Sequence, residues 1–442
     1  MTTLMEQQTI QEEFKNRMNE DELLNCMRCG FCLPSCPTYI TSGYKESHSP
    51  RGRIALMKAV VDGLIEPDED FEKSLNQCLG CRACEPVCPS GVNYGHLLEE
   101  ARDIINQNKK HTMPVRAVRK VVFDGLFPHQ NRMRTFTGLL GFYQRSGLQK
   151  VARSTGIMKL FPESLATMER VLPNVPTLKE MKNRPEFLPA EAPKTKRVAF
   201  FSGCLMDTMF LETNNATMKL LQLAGCEIVI PKDQNCCGAL HGHSGEKDGS
   251  KELAKKNIKA FEDLDVDYII TNAGGCGAFL VDYDHLLKDD PEWKERAKDF
   301  KDKIKDITQI LYEVDFHKKV KLQLPYQIVT YQDSCHLRNV MKTFAAPRAL
   351  LQAIEGIDFR EMKDADRCCG SAGIYNIVES EMSMQILDYK MEQTKATHAT
   401  TVVTANPGCL LQMKLGIERE GLSDKMRGVH IVDLLMEAVV NK

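Results

Sequence analysis

The sequence predicts an α+β multidomain protein, in which a helical N-terminal domain precedes two α/β repeats with parallel sheets. Two observations predict this fold. A run of four closely spaced cysteines followed by proline occurs twice within the first 89 residues, with helical periodicity around it. After residue 196, short β-rich segments alternate with helical ones in two copies that share the same cysteine landmarks. Strands that alternate with helices along a chain form parallel sheets.

The two cysteine runs, residues 26–37 and 78–89, have the spacing C-x2-C-x2-C-x3-C-P. Bacterial ferredoxins with two [4Fe–4S] clusters have this spacing, and the fourth cysteine of each run ligates the other cluster. The proline after the fourth cysteine stops the turn from continuing as a helix. We therefore predict two [4Fe–4S] clusters, one held by Cys26, Cys29, Cys32 and Cys88 and the other by Cys36, Cys78, Cys81 and Cys84.

The residues around the runs have helical patterns. Residues 49–64 begin with Ser-Pro, a helix-start signal, and then carry apolar residues at helical spacing. Residues 97–105 carry a second apolar stripe of the same period. The 41 residues between Cys36 and Cys78 are too many for the compact β-hairpin ferredoxin. We therefore expect a helical ferredoxin domain over residues 1–108.

Zinc bound by C-x2-C pairs is the alternative to iron–sulfur clusters. Zinc is less favoured, because it needs neither a third cysteine nor a Cys-Pro in each run. Disulfides are less favoured still, because the N-terminus has no basic segment followed by an apolar run, as a secretory signal would. Seventeen cysteines without such a signal indicate metal or redox chemistry in a reducing compartment.

Composition places few further limits on function. The 442 residues suggest about three domains. A hydrophobic content of 43% with 27% charged residues is ordinary for globular domains, and the net charge of −2 gives no reason to expect nucleic acid as a partner. No apolar stretch approaches the roughly 18 residues of a membrane-spanning helix. We expect a cytoplasmic protein, with peripheral attachment to the inner face of the cell membrane as a second option.

Residues 109–196 form a basic helical segment and a Pro-rich linker. Residues 109–159 contain eleven Lys or Arg and one acidic residue, Asp124, with aromatic residues interleaved. Such a segment can contact a membrane surface, a quinone or an acidic partner. Solvated helices packed on their own domain are the alternative. Residues 172–196 contain five prolines and many charges, which predicts a linker.

The rest of the chain is an internal repeat, with copies over residues 197–322 and 323–442. Three pairs of landmarks match at nearly constant offsets: Cys204 with Cys335 at 131, the Cys-Cys-Gly triplets at 132, and Cys276 with Cys409 at 133. Offsets that agree so closely indicate a duplication. We predict strands over residues 197–202, 227–231 and 267–271 in the first copy and 327–331, 358–362 and 400–404 in the second.

Most of the remaining cysteines follow these predicted strands. Ligands of parallel sheets collect outside the carboxyl ends of the strands. We therefore expect one four-cysteine site in each repeat and treat both sets as candidate cofactor ligands. They are Cys204, Cys236, Cys237 and Cys276 in the first repeat and Cys335, Cys368, Cys369 and Cys409 in the second.

The cysteine pattern of each repeat resembles the cysteine-rich CCG domain of heterodisulfide reductase subunits and their relatives. In that family the motif ends in C-x-x-C, and five cysteines hold a non-cubane [4Fe–4S] cluster. Here Phe279 and Gln412 occupy the place of the fifth cysteine, which leaves four candidate ligands in each repeat. The resemblance implies a further iron–sulfur cluster in the repeats, and the missing cysteine argues against it.

Over nearly its full length the chain resembles the iron–sulfur subunits of glycolate oxidase. The motifs that carry the resemblance are SPRGRIALMKAV, NCCGALHGHSG, NAGGCGAFL, DSCHLRN and CCGSAGIYN, which begin at residues 49, 235, 272, 333 and 368. The resemblance implies an electron-transfer subunit with FAD-containing glycolate oxidase subunits as partners. Those partners would oxidise glycolate to glyoxylate, and this chain would pass the electrons to a quinone or other acceptor.

No G-x-G-x-x-G motif follows a predicted strand and no P-loop signature is present, so the sequence predicts no flavin, nicotinamide or ATP site in the chain. Because clusters carry single electrons, a flavoprotein partner is required to take a hydride from carbon. Equivalent subunits of lactate or anaerobic glycerol-3-phosphate dehydrogenase complexes are alternatives. So are a heterodisulfide reductase-like thiol–disulfide enzyme and a zinc scaffold without a redox role.

Three histidines lie beside the repeat cysteines: His241, His243 and His336. They can ligate metal, tune a thiolate or move a proton, or they can be loop histidines without a role. Cys226 matches Ile357 in the second copy, which predicts a buried apolar residue rather than a ligand. Tyr375 and Asn376 match His243 and Ser244, so the two repeats have diverged there.

Overall fold

The computed structural model describes residues 4–160 and 169–440, and its N-terminal domain is helical. Two loops carry the cysteines of the predicted cluster sites. Cys26 and Cys36 belong to the first loop, and the second loop runs from residue 78 to 89. The core of this domain is made of apolar residues from the helices on either side of the loops. The helices are Leu4–Arg17, Glu20–Leu24, Pro37–Thr41, Pro50–Val61, Glu69–Asn76 and Tyr94–Asn108.

Helix ends in this domain follow ordinary capping chemistry. Ser49 accepts a hydrogen bond from the Gly52 amide at the start of Pro50–Val61, with proline in the first turn. The N-terminal segment is divided into two helices, Leu4–Arg17 and Glu20–Leu24. Asn19 caps a new helix, Glu20–Leu24, by accepting from the Glu22 amide. Asparagine competes for such caps because its side chain bonds backbone amides.

The connecting region continues in helical form. Its helices are Met113–Arg119, Gln130–Arg145, Leu148–Thr155 and Leu178–Lys182, with a π-helical stretch at Lys120–Leu126 and a 3₁₀ turn at Ile157–Leu160. Residues 161–168, which fall within the predicted 109–196 region, lie outside the described residues.

The first repeat is built on a five-stranded sheet with the order β1-β3-β2-β4-β5. The strands are β1 (Phe187–Leu188), β2 (Lys196–Phe200), β3 (Cys226–Val229), β4 (Tyr268–Thr271) and β5 (Ile304–Asp306). All neighbours are parallel except β1, which pairs antiparallel with β3. The helices of this repeat are Leu211–Leu223, Ala239–His243, Lys247–Phe261, Gly274–Val281, Tyr283–Leu286, Lys294–Asp302, Ile307–Glu313 and Phe316–Lys319.

The second repeat has a four-stranded parallel sheet with the order β7-β6-β8-β9. Its strands are β6 (Gln323–Tyr331), β7 (Glu355–Phe359), β8 (Thr401–Thr404) and β9 (Arg427–His430). Its helices are Cys335–Asn339, Ala345–Gln352, Tyr375–Val378, Ser380–Ala396, Pro407–Arg419 and Ile431–Ala438. The predicted arrangement, a helical ferredoxin domain followed by α/β repeats with parallel sheets, is therefore confirmed.

The two repeats share one hydrophobic core. Residues of the first sheet, such as Phe200 and Ile270, belong to the same buried cluster as Val329 and Val403 of the second. A backbone hydrogen bond of 3.0 Å from the Gly274 amide to the Ala405 carbonyl joins the carboxyl ends of β4 and β8. The cysteine sites of the two repeats therefore lie at neighbouring ends of two sheets that pack together.

The segment predicted as a linker contributes to the fold. The helix Leu178–Lys182 has a capping box, in which Thr177 and Glu180 satisfy each other's backbone amides. Strand β1 lies between Pro185 and Pro189 and covers the edge of β3. Proline is tolerated at a sheet edge, where its missing N–H is not needed. The Pro-rich composition predicted a linker, but the structure has a two-residue edge strand there.

Strand β7 begins earlier than expected, at Glu355 rather than at residue 358. Gly356 has a φ of +91°, and a Cβ there would lie 2.1 Å from the Leu324 carbonyl oxygen. Only glycine permits that close approach between β6 and β7, so the pairing extends past the apolar residues that predicted the strand.

Within the described residues, no helix is long and apolar enough to cross a membrane.

Candidate iron–sulfur centres

The first ferredoxin centre brings together the crossed cysteine set predicted from the spacing. Cys26, Cys29, Cys32 and Cys88 line one cavity, together with Cys84 and Arg51 among others. Cys29 is exposed, so the cavity opens to solvent. Burial raises the pKa of the Cys32 thiol to about 11, and the nearby thiols of Cys26 and Cys36 add to the rise.

Both cysteine runs use the same backbone conformation. Arg28 and Gly30 in the first run have φ values of 56° and 92°, and Gly80 and Arg82 in the second have 62° and 56°. These four residues occupy matching places, two and four after the first cysteine of each run. Left-handed residues at these two places turn the chain back on itself, which lets three cysteines face one centre.

The second ferredoxin centre is buried. Cys36, Cys78, Cys81 and Cys84 are all buried, and the thiols of Cys36, Cys78 and Cys81 act electrostatically on Cys84. Burial raises the pKa values of Cys81 and Cys84 well above the ordinary value, and the neighbouring thiols add to it. Two donors point at the Cys78 sulfur, the Gly80 amide at 3.4 Å and the Tyr94 hydroxyl at 3.5 Å.

Two arginines place positive charge near this centre. Arg53 is fully buried, donates to the Ser74 carbonyl at 2.6 Å and to Thr38 Oγ1 at 3.2 Å, and leaves Nη1 without a partner among the described residues. Arg102 donates to the Cys78 carbonyl at 2.6 Å. Burial would raise the pKa of the Cys78 thiol, but Arg53 and Arg102 outweigh it and lower that pKa below its ordinary value.

These residues fit a pair of iron–sulfur clusters. Each centre offers four thiol groups in a common environment, and the buried centre also offers amide and hydroxyl donors to sulfur. Such donors are one of the means by which proteins set cluster potentials. Over residues 4–160 and 169–440, no group of three or more His, Cys, Asp or Glu side chains is placed to hold a single metal ion. In a four-iron cluster each thiolate binds a different iron, so its ligands stand around the cluster rather than around one ion.

The first repeat brings its four predicted cysteines together. Cys236 is in hydrogen-bond contact with both Cys204 and Cys237, and Cys237 contacts Cys276. The pKa of Cys204 lies well above its ordinary value because of the Cys236 contact and burial. The pKa of Cys237 is also well above that value, since contact with Cys276 and burial outweigh the contact with Cys236. The pKa values of Cys204, Cys236 and Cys237 therefore all lie above the ordinary value of a thiol.

The second repeat also brings its four cysteines together, but here the pKa values of two of them are lowered. Cys335 contacts Cys368, and Cys369 contacts both Cys368 and Cys409. The contact with Cys368 lowers the pKa of Cys335 well below its ordinary value, with help from His336. Contacts with Cys368 and Cys409 lower that of Cys369, and the ammonium of Lys390 acts in the same direction.

Lys390 is fully buried beside this site. Its Nζ donates to the Asp364 carbonyl at 2.6 Å, and the thiols of Cys369 and Cys368 are its main electrostatic partners. Burial lowers the pKa of Lys390 to about 8, while the two cysteines oppose the change. Neither Lys390 nor Arg53 was among the predicted site residues. Arg53 lies within the motif that begins at residue 49, whereas Lys390 gives no sequence signal beyond its place in a buried helical stripe.

The second repeat adjoins the buried ferredoxin centre. Cys335 acts electrostatically on Cys81, and the two belong to one buried cluster. The Asn339 amide group donates to the Cys81 carbonyl at 2.9 Å, and the His336 ring contacts the Gly80 carbonyl at 3.1 Å. The Tyr375 hydroxyl donates to the Gln77 carbonyl at 3.0 Å.

The three candidate histidines separate into two groups. His241 is buried, and its ring contacts the Phe123 carbonyl of the π-helical segment at 2.9 Å. Burial lowers the pKa of His241. This histidine therefore packs against the π-helical segment. His243 and His336 stack face to face at 5.3 Å, and His243 Nδ1 lies 2.8 Å from Glu99. The latter two histidines therefore lie where the two repeats meet the ferredoxin domain. Cys226 is buried in strand β3 at the position that matches Ile357 in β7.

The fold and these centres define an iron–sulfur protein of the redox class, with a two-cluster ferredoxin domain joined to paired cysteine-rich repeats. Family models agree: a 4Fe-4S dicluster domain matches residues 22–92, and a cysteine-rich domain matches residues 198–281 and 329–414. A third family model, described as the linker region of the glycolate oxidase iron-sulfur subunit, matches residues 114–172.

The chain belongs to the family of glycolate oxidase iron–sulfur subunits, components of an oxidoreductase complex. It is 70% identical over 443 residues, all of both chains, to the probable glycolate oxidase iron-sulfur subunit of Bacillus subtilis (strain 168). It is 29% identical over 420 residues, 92% of this chain and 94% of the relative, to the glycolate oxidase iron-sulfur subunit of Escherichia coli (strain K12). Lactate utilization protein A of Exiguobacterium sp. (strain ATCC BAA-1283 / AT1b) is 33% identical over 242 residues, 55% of this chain and 98% of the relative.

Proposed function

We propose that this chain is the electron-transfer subunit of a flavin-dependent complex that oxidises glycolate to glyoxylate. It receives electrons from an FAD-containing partner and passes them to a quinone or other acceptor. The observation that carries the proposal is the pair of four-cysteine centres, one open at Cys29 and one buried, with the second repeat against the buried one. The full-length similarity to glycolate oxidase iron–sulfur subunits supports the choice of substrate.

Bound clusters would supply one-electron redox chemistry, and the chain's residues determine where it takes place. The crossed cysteine sets hold the two centres side by side within one small domain. Arg53 and Arg102 place positive charge against the buried centre, which favours its reduced state. The open centre is the one that a partner can approach, since its cavity reaches the surface at Cys29.

The partner is tested by anaerobic pull-down of the tagged chain from native extract. We expect a flavoprotein to co-purify, and the sample to contain iron and to reduce a redox dye when glycolate is added. A chain that carries iron but captures no flavoprotein would contradict the proposal. The matched control is the same extract with a chain in which the eight ferredoxin cysteines are replaced by alanine.

Lactate is the second candidate substrate, because the lactate utilization relatives match about half of this chain. The same pull-down sample separates the two. Dye reduction that is faster with glycolate than with lactate at equal concentration supports the first proposal. The reverse order would assign the chain to a lactate-oxidising complex.

We also propose that the connecting region docks on an anionic membrane surface. Among the described residues, 24 large apolar side chains are exposed, and eleven of them lie between Met113 and Leu160. Phe136, Leu139 and Phe142, spaced at helical intervals on Gln130–Arg145, are each about 60% exposed, at 58%, 65% and 62%. Exposed basic residues, Arg116 and Lys120 among them, accompany these side chains. Exposed apolar and basic side chains together suit anionic lipid.

Replacing Phe136, Leu139 and Phe142 together by serine is expected to weaken binding to vesicles that contain anionic lipid by at least about tenfold. Burying one such side chain is worth about 1.5–3 kcal/mol, and about 1.4 kcal/mol corresponds to a factor of ten. Vesicle flotation measures the effect. The matched control replaces Tyr312, Tyr326 and Phe344, which are also exposed but lie in the repeats. Equal binding by both variants and the wild type would contradict a lipid-docking role.

A further inference from the structure

The two repeats carry different residues at matched positions around their cysteines. The helix Lys247–Phe261 buries Ser250, Asn257 and Phe261, and the helix Ser380–Ala396 buries Ser383, Lys390 and Thr394 at the same intervals. The offset between the helices is 133, the same offset that relates Cys276 to Cys409. Asn257 therefore occupies in the first repeat the position that Lys390 occupies in the second. In the same way, Leu205 follows Cys204 where His336 follows Cys335.

These substitutions give the two cysteine sites different charges. In the second repeat, the buried ammonium of Lys390 interacts electrostatically with Cys369 and Cys368, and the His336 ring contacts Cys335. In the first repeat, the corresponding side chains are a neutral amide and an aliphatic group. A thiolate-bound cluster carries negative charge, and burying charge without compensation costs several kcal/mol. The second repeat supplies a buried cation for such a group at a position where the first supplies none.

The first repeat instead closes its site with neutral groups. Tyr283 is fully buried and donates to the Cys237 carbonyl at 2.7 Å, while Asn257 donates to the Cys236 carbonyl at 2.9 Å. The Phe279 ring packs so tightly that a Cβ on Gly242 would lie 2.6 Å from it. Two aromatic rings and two hydrogen bonds hold the paired-cysteine loop in place.

In the second repeat the matching positions are Gln412 and Gly416. Gln412 donates to Ser383 Oγ at 3.0 Å and accepts from Asn376 at 3.2 Å. The second repeat therefore has a hydrogen-bonded polar network at the place where the first repeat has the rings of Phe279 and Tyr283. The second site also adjoins a ferredoxin centre, because Cys335 acts electrostatically on Cys81 and Asn339, at the other end of the helix Cys335–Asn339, donates to the Cys81 carbonyl.

We propose that the second repeat holds a third redox centre, an iron–sulfur cluster on Cys335, Cys368, Cys369 and Cys409 with Lys390 as its buried counter-cation. The cysteines of the first repeat serve the packing of the fold. This proposal rests on the electron-transfer function proposed above. One electron lost at the Cys81 centre is gained at the second-repeat centre, so that centre is the next step toward the acceptor.

The matched pair Cys368→Ala and Cys236→Ala tests the asymmetry on the full chain, purified anaerobically with its clusters. We expect Cys368→Ala to lower the iron per chain and to remove one component of the reduced-state EPR spectrum. Cys236→Ala should keep both the iron and the spectrum of the wild type. Equal iron in the wild type and Cys368→Ala, or the same loss in both variants, would overturn the proposal. Cys335→Ala repeats the test where Cys368→Ala does not fold.

Lys390→Asn, which installs the residue of the first repeat, tests the counter-cation. We expect the electron affinity of that one EPR component to fall by about tenfold, which is about 59 mV for a one-electron couple, or the component to be lost. Lys390→Arg should restore it, and Asn257→Lys should leave it unchanged. A component that titrates as in the wild type in Lys390→Asn would contradict the role of Lys390. The signals of the two ferredoxin centres should persist in every variant, which separates this result from a failure of the proposed function.

Discussion

Cys36→Ala is expected to lower the iron by about four per chain and to remove the buried ferredoxin centre rather than the exposed one. The expectation follows from crossed ligation: Cys36 belongs to the first cysteine run, yet its sulfur acts on Cys81 and Cys84 of the second. A four-iron cluster is held by four thiolates, and we expect the buried centre not to keep its cluster with three. EPR spectra of the reduced protein, together with iron analysis, measure which centre is lost.

The assignment is decided by comparing single variants in pairs. With crossed ligands, the spectrum of Cys36→Ala matches that of Cys81→Ala, and Cys88→Ala matches Cys29→Ala. If each run held its own cluster, Cys36→Ala would instead match Cys29→Ala. Cys226→Ala is the control for removal of a cysteine, because Cys226 is buried in strand β3 of the first repeat. Its iron content should equal that of the wild type.

Arg53→Met is expected to lower the reduction potential of the buried ferredoxin centre substantially. Arg53 is fully buried, and Cys78 and Cys36 are among its main electrostatic partners. Unit charges roughly 8 Å apart at an effective dielectric of about 20 interact by about 2 kcal/mol. For a one-electron couple this is about 85 mV. Removing the positive charge makes the reduced, more negative state less favourable, so the potential falls.

Two controls separate charge from structure in this prediction. Arg53→Lys keeps the charge and should restore most of the potential even where stability falls. Arg51→Met removes an arginine from the open centre, where Arg51 is 29% exposed and paired with Glu46. Solvent screens that charge, so its effect should be much smaller. An EPR-monitored redox titration gives each value, and a buried centre with the same potential in Arg53→Met and the wild type would contradict the account.

The cysteine chemistry could be predicted from sequence because it is local. Three cysteines at intervals of three can reach one centre only if the chain turns back between them, and the left-handed residues at Arg28 and Gly80 provide that turn. The duplication was equally visible, because the offsets of the cysteines are independent of how the sheets pack. Both features depend on spacing alone.

The groups that compensate charge could not be predicted, because they come from distant parts of the chain. Lys390 lies at a position where helical periodicity predicts an apolar residue, and only the packed structure shows its electrostatic interaction with Cys369 and Cys368. The electrostatic interaction of Cys335 with Cys81 joins residues 254 positions apart. No local pattern specifies such a pairing, since it depends on how the ferredoxin domain meets the second repeat.

The central claim is that this chain carries electrons for a partner's oxidation chemistry. The most direct measurement is EPR spectroscopy of the chain with its co-purified flavoprotein, frozen soon after anaerobic addition of glycolate. We expect signals of reduced iron–sulfur clusters that are absent when the flavoprotein or glycolate is left out. A sample in which the flavin is reduced while the iron–sulfur centres of the chain stay oxidised would contradict the account.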